Sequence, residues 1–179
     1  MPLQTPRLTI HAATPDEMRR FIAAQTDASL ATAYREMLQG CLEHPENHAW
    51  HAIWMIERPD GTHVGELSFK GFNTSGIVEI GYGIQEPFRG RGYATEAVGA
   101  AVAWALRQPG VTRVEAETSP ANAASMRVLE KCAFLPSGTT GEEGPRSAGE
   151  SARRRAHAVG GSVRLRAGSD RGYSRGPAR

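Results

Sequence analysis

The alternation of apolar and polar residues divides the first 140 positions into strands and helices. Apolar residues at every second position predict strands, which cover residues 7–11, 50–57, 63–70, 77–84 and 111–118. Apolar residues at helical spacing, bounded by capping and breaking residues, predict helices over residues 14–25, 29–43, 93–107 and 122–132. This order of elements indicates the α/β class.

The predicted connections indicate how the strands pair. Residues 77–118 run strand, loop, long amphipathic helix, strand, an order typical of the βαβ unit that joins two parallel strands. The turn Pro59-Asp60-Gly61 joins the two preceding strands as an antiparallel hairpin. We therefore expect one mixed, mostly antiparallel sheet that is flanked by helices.

The composition changes beyond residue 140 of this 179-residue chain. Residues 1–140 carry 12 Lys and Arg against 15 Asp and Glu, whereas residues 141–179 carry nine Arg and four acidic residues. This second segment is glycine-rich and has too few large apolar residues to offset the entropy cost of ordering it. We expect a folded domain over residues 1–140 and a disordered Arg/Gly-rich tail over residues 141–179.

Several classes of protein do not fit this sequence. It has no run of about 18 apolar residues, so we expect no membrane partner. The N-terminus lacks the basic and apolar regions of a secretory signal. Cys41 and Cys132 form neither a disulfide framework nor a metal knuckle, and His44, His48 and His51 lie around a predicted helix break. We therefore expect a cytoplasmic protein without a metal.

The most informative segment is the basic loop Arg89-Gly90-Arg91-Gly92, which joins a predicted strand to the helix that begins at Tyr93-Ala94. The first N–H groups of a helix have no partner within the helix and lie at the positive end of its dipole. Glycines let this backbone approach a ligand closely, and the arginines add positive charge. The loop predicts an anion site suited to phosphates. The alternative is a solvated basic turn that caps the helix.

These residues resemble those of a known enzyme superfamily. Arg89-x-x-Gly92-x-Ala94 matches the Gln/Arg-x-x-Gly-x-Gly/Ala motif of the GNAT N-acetyltransferases. The opening segment from Thr5 to Ile10, residues 78–82, and the helix that begins at Asn122 resemble the RimJ/RimL-type branch of that superfamily. The resemblance covers residues 3–140 and depends on several motifs in the same order.

The resemblance implies the acyl-CoA N-acyltransferase fold, whose sheet splays between the fourth and fifth strands, here residues 77–84 and 111–118. Acetyl-CoA would lie in the gap as co-substrate. Its pyrophosphate would contact the backbone of the loop and helix start, and its pantetheine arm would pair with strand residues Gly83 and Ile84. Asn122 would contact the cofactor from the opposite side. The implied cofactor-binding residues are Gly83, Ile84, Arg89, Gly90, Arg91, Gly92, Tyr93, Ala94 and Asn122.

The implied reaction is direct attack of a neutral amine on the thioester. Glu79, on the glycine-bearing face of its strand, is the first candidate for the base or the water-positioning residue, and Glu66 is a weaker candidate. The alternative for Glu79 is a solvent-facing strand residue. Ser125 matches the family's serine, which could donate to the leaving thiolate or bond the cofactor, or it is simply a polar residue of the first helical turn. Leu129 stands where many members have a tyrosine acid, so we expect that role to be absent.

The C-terminus departs from the family pattern. Members normally finish with two more strands after Phe134, whereas this chain becomes arginine- and glycine-rich without alternation. We expect these terminal strands to be missing, which would leave the strand over residues 111–118 with an unpaired edge.

Two functions remain open at this point. The first is acetyl transfer from acetyl-CoA to a primary amine, either a protein N-terminus or a small molecule. The alternative is an acyl-CoA-binding or regulatory relic without turnover, inactivated by the altered C-terminus.

A dinucleotide fingerprint fails because Thr95 stands at its third glycine. The tail predicts only weak, salt-sensitive nucleic-acid binding. A homodimer is possible, and the acceptor amine is not identified.

Overall fold

The computed structural model of the chain describes residues 1–70, 75–142 and 144–150. Within these ranges the backbone forms eight strands and five α-helices. The strands are β1 Leu3–Gln4, β2 Thr9–Ala12, β3 Trp54–Glu57, β4 His63–Lys70, β5 Ile77–Ile84, β6 Arg113–Glu117, β7 Leu135–Thr140 and β8 Pro145–Glu150. The helices are α1 Pro15–Ala23, α2 Ala28–Glu43, α3 His48–His51, α4 Tyr93–Ala105 and α5 Ala123–Lys131.

The strands form one mixed sheet in the order β1-β2-β3-β4-β5-β6-β8-β7. Among the described pairings only β5 and β6 run parallel, and they join residues 77–79 to residues 113–115. Beyond that pairing β5 continues to Ile84 while β6 ends at Glu117, so the two strands separate. The predicted mixed sheet, splayed between these two strands and flanked by helices, is confirmed.

Helices cover the sheet on both faces. One core cluster joins buried residues of α4, such as Val98 and Ala101, to Val64, Leu67 and Ile80 of the sheet. A second cluster lies between helices α1 and α2 and the opposite face, where it includes Met18, Cys41 and Ile53. The two clusters hold the sheet between helical layers, and the gap between β5 and β6 stays open.

The strand predicted to begin at residue 50 is wrong in its first half. His48–His51 forms the short helix α3, and β3 begins only at Trp54. Alternation over so short a run cannot separate a helical turn from a strand. The turn brings the Trp50 ring to 5.3 Å from that of Phe69 and 4.8 Å from that of Trp104. Trp50 and Trp54 therefore belong to one aromatic cluster of the core.

The prediction that the terminal strands are missing is also wrong. Strand β8 pairs antiparallel with β6 on one side and with β7 on the other, so the edge of β6 is covered. The two strands escaped prediction because small and polar residues fill them without apolar alternation. Ion pairs also join β8 to β6: Arg113 lies 3.9 Å from Glu150, and Arg146 lies 2.9 Å from Glu117. The ordered fold thus continues to residue 150, past the predicted boundary at residue 140. The disorder predicted for the rest of the tail falls on residues 151–179, outside the described residues.

Candidate active site

A cavity of about 660 Å³ opens where β5 and β6 separate. The end of β5 forms one wall, the loop before α4 and the first turn of that helix form the floor, and α5 forms the opposite wall. Because β6 ends at Glu117 and the chain then turns into α5, none of the described strands fills the gap beside residues 82–84. The cavity is therefore a direct product of the splayed sheet.

The loop that enters α4 has a backbone that only glycine adopts easily. Gly90 has φ of +74° and Gly92 has φ of +81°, in the left-handed region. Gly92 is also the N-cap of α4, and it supplies no side chain to bond the first N–H groups of the helix. Arg89 fixes the start of the loop, because its Nε donates to the carbonyl of Ile84 at 3.0 Å. The amides of the first turn of α4 are thus left for a ligand in the cavity.

The N-terminal segment holds this loop from behind. Arg7 donates from Nε to Glu96 Oε2 at 2.7 Å and from Nη1 to the carbonyl of Arg91 at 3.0 Å. Its guanidinium carbon also lies 4.9 Å from the centre of the Tyr93 ring, within cation–π range. Thr5 adds a hydrogen bond to Glu96 Oε1 at 2.6 Å. We call Thr5, Arg7 and Glu96 the loop brace.

The loop brace was not predicted from the sequence, because its members lie about 90 positions apart along the chain. The available signal was Glu96, an acidic residue in the first turn of a helix, where it also complements the helix dipole. Burial alone would raise the pKa of Glu96, but the hydrogen bonds from Thr5 and Arg7 outweigh burial and lower that pKa. The carboxylate therefore stays ionised and holds the brace together at neutral pH.

Helix α5 supplies the opposite wall of the cavity. Asn122 caps the helix, since its Oδ1 accepts from the amide of Ser125 at 3.0 Å. Arg127 and Lys131, four positions apart, also line the cavity. Neither cation was predicted as a site residue, although residues at this spacing share one face of a helix. Together with Arg89 they make the rim of the cavity positive.

Two hydroxyl groups meet across the cavity. Ser125 Oγ donates to Tyr82 Oη at 2.8 Å, and Tyr82 Oη donates to the carbonyl of Ser125 at 3.2 Å. Tyr82 belongs to β5 and Ser125 to α5, so this pair joins the two separated walls. Burial raises the pKa of Tyr82, although its bond with Ser125 opposes that shift. Leu129, where the family often has a tyrosine, is buried and carries no hydroxyl.

Glu66 is the carboxylate that lines the cavity. It lies opposite Gly83 in the β4–β5 register, and its Oε1 would be 3.4 Å from a Cβ built at Gly83. Burial raises the pKa of Glu66, and a hydrogen bond with Tyr34 opposes that shift only in part. Next to it, the buried Nε2 of His63 has no hydrogen-bond partner among the described residues and lies 3.9 Å from Glu66 Oε2.

Glu79 belongs to an ionic cluster on β5. It lies four residues before Gly83, on the same face of that strand. Its carboxylate is 3.0 Å from Arg146 Nη1 and 3.7 Å from Lys70 Nζ. Arg146 also contacts Glu115 at 3.4 Å and Glu117 at 2.9 Å. Desolvation alone would lower the pKa of Arg146, but the negative charges of Glu79 and Glu117 outweigh desolvation and raise that pKa. We call Glu79, Glu115, Glu117 and Arg146 the ionic cluster.

Most of the predicted site residues line one cavity. Those brought together there are Gly83, Ile84, Arg89, Gly90, Gly92, Tyr93, Ala94, Asn122 and Ser125. Two are not among the lining residues: Arg91, whose carbonyl accepts from Arg7, and Glu79, whose carboxylate belongs to the ionic cluster. The binding and catalytic roles of all these residues stay predictions.

Within residues 1–70, 75–142 and 144–150, no group of three His, Cys, Asp or Glu side chains is arranged to hold a metal ion. Over the same ranges, no helix has the length and apolar character needed to cross a bilayer.

Curated relatives match part of the chain. The uncharacterized N-acetyltransferase YjdG of Bacillus subtilis (strain 168) is 33% identical over 84 residues, which cover 46% of this chain and 50% of YjdG. The probable N-acetyltransferase YjcK of the same organism is 42% identical over 59 residues, 33% of each chain. The chain thus aligns with half of the length of YjdG and with a third of the length of YjcK.

Solved structures share the fold. The alpha-N-protein acetyltransferase RimL in complex with coenzyme A superposes with a TM-score of 0.67 at 16% identity, covering 84% of this chain and 98% of RimL. A SpeG spermidine N-acetyltransferase variant from Vibrio cholerae superposes with a TM-score of 0.66 at 14% identity, covering 86% and 99%. Identities this low show likeness of fold alone.

Family membership comes from the sequence itself. The acetyltransferase (GNAT) domain family matches residues 5–135, which is more than half of the chain. The matched region contains the loop, the start of α4, both walls of the cavity and the loop brace. The chain therefore belongs to the GNAT acetyltransferase family.

Proposed function

We propose that the protein transfers an acetyl group from acetyl-CoA to a primary amine by direct attack of the amine on the thioester. One observation carries this proposal: the uncapped N-terminus of α4, the carboxylate of Glu66 and the Ser125 hydroxyl all open into the same cavity. An anion site, a base and a hydroxyl donor are the groups that such a transfer needs from the protein.

The residues of the cavity fit acetyl-CoA as co-substrate. The amides of the first turn of α4, with Arg89 beside them, would hold the pyrophosphate, and Arg127 and Lys131 offer further charge to its phosphates. Gly83 keeps the strand face beside Glu66 clear, since a side chain there would come within 3.4 Å of the carboxylate. The pantetheine arm would pair with the backbone of Gly83 and Ile84, and Asn122 would contact it from α5.

The acceptor must lose a proton before or during attack. A lysine-like amine with a pKa of about 10.4 costs about 4.6 kcal/mol to deprotonate at pH 7, whereas an α-amine with a pKa of about 7.8 costs about 1 kcal/mol. Between the two predicted carboxylates, the structure favours Glu66 as base, because it lines the cavity and its pKa is raised by burial. Glu79 is not among the lining residues, and its carboxylate is paired with Arg146 and Lys70.

The acyl-CoA-binding relic without turnover is the second candidate. It depended on the absence of the terminal strands, and β7 and β8 are present. We therefore prefer the enzyme. The expected location of this enzyme is the cytoplasm, where acetyl-CoA would be available to it. That location, the homodimer and the class of the amine stay predictions.

The test combines binding and turnover on the full chain. Calorimetry with coenzyme A should show binding, and release of free thiol from acetyl-CoA should depend on an added amine from a panel of N-terminal peptides, polyamines and aminoglycosides. Arg107→Ala, an exposed arginine near the far end of α4, serves as the matched control for Arg89→Ala. Binding without amine-dependent thiol release across the panel would favour the relic, and no binding would contradict both candidates.

A further inference from the structure

The hydrogen-bond directions between Tyr82 and Ser125 are those of a resting pair. The single hydroxyl hydrogen of Ser125 points to Tyr82 Oη at 2.8 Å and is therefore not offered to the cavity. The phenol hydrogen of Tyr82 points to the main-chain carbonyl of Ser125 at 3.2 Å. The phenol oxygen thus accepts from one atom of Ser125 while it donates to another.

This arrangement can reverse with a small rotation. A hydroxyl group donates one hydrogen bond and accepts up to two. If the Ser125 hydrogen turns toward a group in the cavity, Ser125 Oγ is left free to accept, and the phenol hydrogen can move from the carbonyl to Oγ. Both acceptors belong to one residue, so neither the strand nor the helix has to shift. The bond that supports Ser125 would then run from Tyr82 to Ser125.

We propose that Tyr82 is a positioning residue that holds the Ser125 hydroxyl at rest and donates to Ser125 Oγ when the Ser125 hydrogen turns to the departing thiolate of coenzyme A. The inference rests on the proposed function. It concerns the departure of the thiolate, whereas Glu66 serves the amine. Hydrogen bonds in series polarise one another, so the phenol makes Ser125 a stronger donor than an isolated serine.

The proton balance is closed. The amine nitrogen forms its bond to the acetyl carbon, the carbon–sulfur bond breaks, and the electron pair of that bond stays on sulfur. The amine proton passes to Glu66 and from there to solvent. The sulfur takes the Ser125 proton, Ser125 takes the phenol proton, and water returns a proton to the phenol. No oxidant or further reactant is required.

The surroundings of Tyr82 agree with this role. The side chain lines the cavity, and its hydroxyl ends on the opposite wall and not in the apolar core. Burial raises its pKa, so the phenol keeps its hydrogen throughout the neutral range and remains a donor. A tyrosine needed only for packing would not have to end on Ser125, a serine that lines the proposed cofactor space.

The test compares Tyr82→Phe with Ser125→Ala and with the double variant. We expect Tyr82→Phe to lower kcat by about ten-fold, a factor typical of one lost hydrogen bond, and to leave KM for acetyl-CoA nearly unchanged. The double variant should be no slower than Ser125→Ala, because Tyr82 acts through Ser125. Thermal unfolding of each variant checks that the fold is intact.

A second readout separates positioning from packing. With an aryl thioester as acetyl donor, whose acidic thiol leaves without a proton, Tyr82→Phe should approach the wild-type rate. An unchanged kcat, an additive loss in the double variant, or an equal loss with both donors would overturn the inference. If Tyr82→Phe does not fold, the test passes to Ser125→Ala. That variant must be slower than wild type with acetyl-CoA and close to wild type with the aryl thioester, or the inference fails. A wild-type chain that binds coenzyme A but releases no thiol overturns the proposed function together with this inference.

Discussion

The two sides of the sheet beside the splay are built in different ways. On the side proposed for the cofactor, which we call the cofactor side, the loop and the first turn of α4 present mainly backbone amides, and their geometry follows from Gly90 and Gly92. On the side proposed for the amine, which we call the acceptor side, β4, β5, β6 and β8 contribute charged side chains, including Glu66 and the ionic cluster. The cofactor side is local in sequence, whereas the acceptor side is assembled from segments up to 80 positions apart.

Under the proposed function, this difference would let the fold keep its cofactor while its acceptor changes. A backbone site depends on few side chains, so it tolerates substitution except at its glycines. A site of converging carboxylates changes its charge and shape with every substitution. Variants of residues that line one side alone should therefore change either coenzyme A affinity or turnover, but not both.

The largest expected effect concerns the acceptor side. Glu66→Gln should lower kcat with a lysine-like acceptor by about 100-fold or more, because general base catalysis is lost. The same variant should be no less stable than wild type at pH 8, since a carboxylate with a raised pKa costs folding stability once it is ionised. Thiol-release kinetics and thermal unfolding measure the two effects.

Glu79→Gln is the matched comparison for that prediction. Glu79 lies on the neighbouring strand and faces Arg146, so its neutralisation should change kcat much less than that of Glu66. A greater loss of kcat in Glu79→Gln than in Glu66→Gln would reverse the assignment and restore Glu79 as the base.

The next effect concerns the cofactor side. Arg89→Ala should weaken coenzyme A binding by about ten-fold or more, the equivalent of roughly 1.5–3 kcal/mol for a charge-assisted hydrogen bond. Arg91→Ala should weaken it less, because Arg91 is not among the cavity-lining residues. Calorimetry with Arg107→Ala as control checks both values. Equal losses in Arg89→Ala and Arg107→Ala would mean that the arginine acts only through overall charge.

A smaller effect is expected from the ionic cluster. Arg146→Gln leaves three carboxylates without their shared cation, and the free energy of unfolding should fall by about 1–2 kcal/mol, since the cluster is partly exposed to solvent. Combining it with Glu117→Gln should recover part of the loss. Urea unfolding gives the values, and a double variant less stable than Arg146→Gln would contradict the shared-cation interpretation.

The smallest effect belongs to the loop brace. Glu96→Gln should lower the free energy of unfolding by about 1 kcal/mol at pH 7, because charge-assisted bonds to Arg7 are lost. The lowered pKa of Glu96 means that wild type gains this stability above pH about 4.3 and loses it as the pH falls through the lower folded-state value. The difference between the two proteins should therefore shrink in acid. A difference independent of pH would exclude the charge as its cause.

Local patterns made the loop and the start of α4 predictable from the sequence, whereas the role of that loop in binding stays a prediction. Glycines before an amphipathic helix indicated an anion site, and the capping box at Thr14 and Glu17 located α1. The loop brace and the Tyr82–Ser125 pair were missed because they join residues 43 to 91 positions apart, and a single sequence does not record such contacts. Strands β7 and β8 were missed because polar and small residues fill them: Gly149 makes room for the Phe134 ring, which a Cβ would approach within 3.2 Å.

The position of β8 has a consequence for how the chain is made. This strand is the last to be synthesised among those described, yet it lies between β6 and β7 inside the sheet. Until Pro145–Glu150 has been synthesised and added to the sheet, β6 and β7 each lack the neighbour that β8 supplies, and Glu115 and Glu117 lack their contact with Arg146. A folding intermediate that lacks β8 is open to wrong strand pairing at these edges.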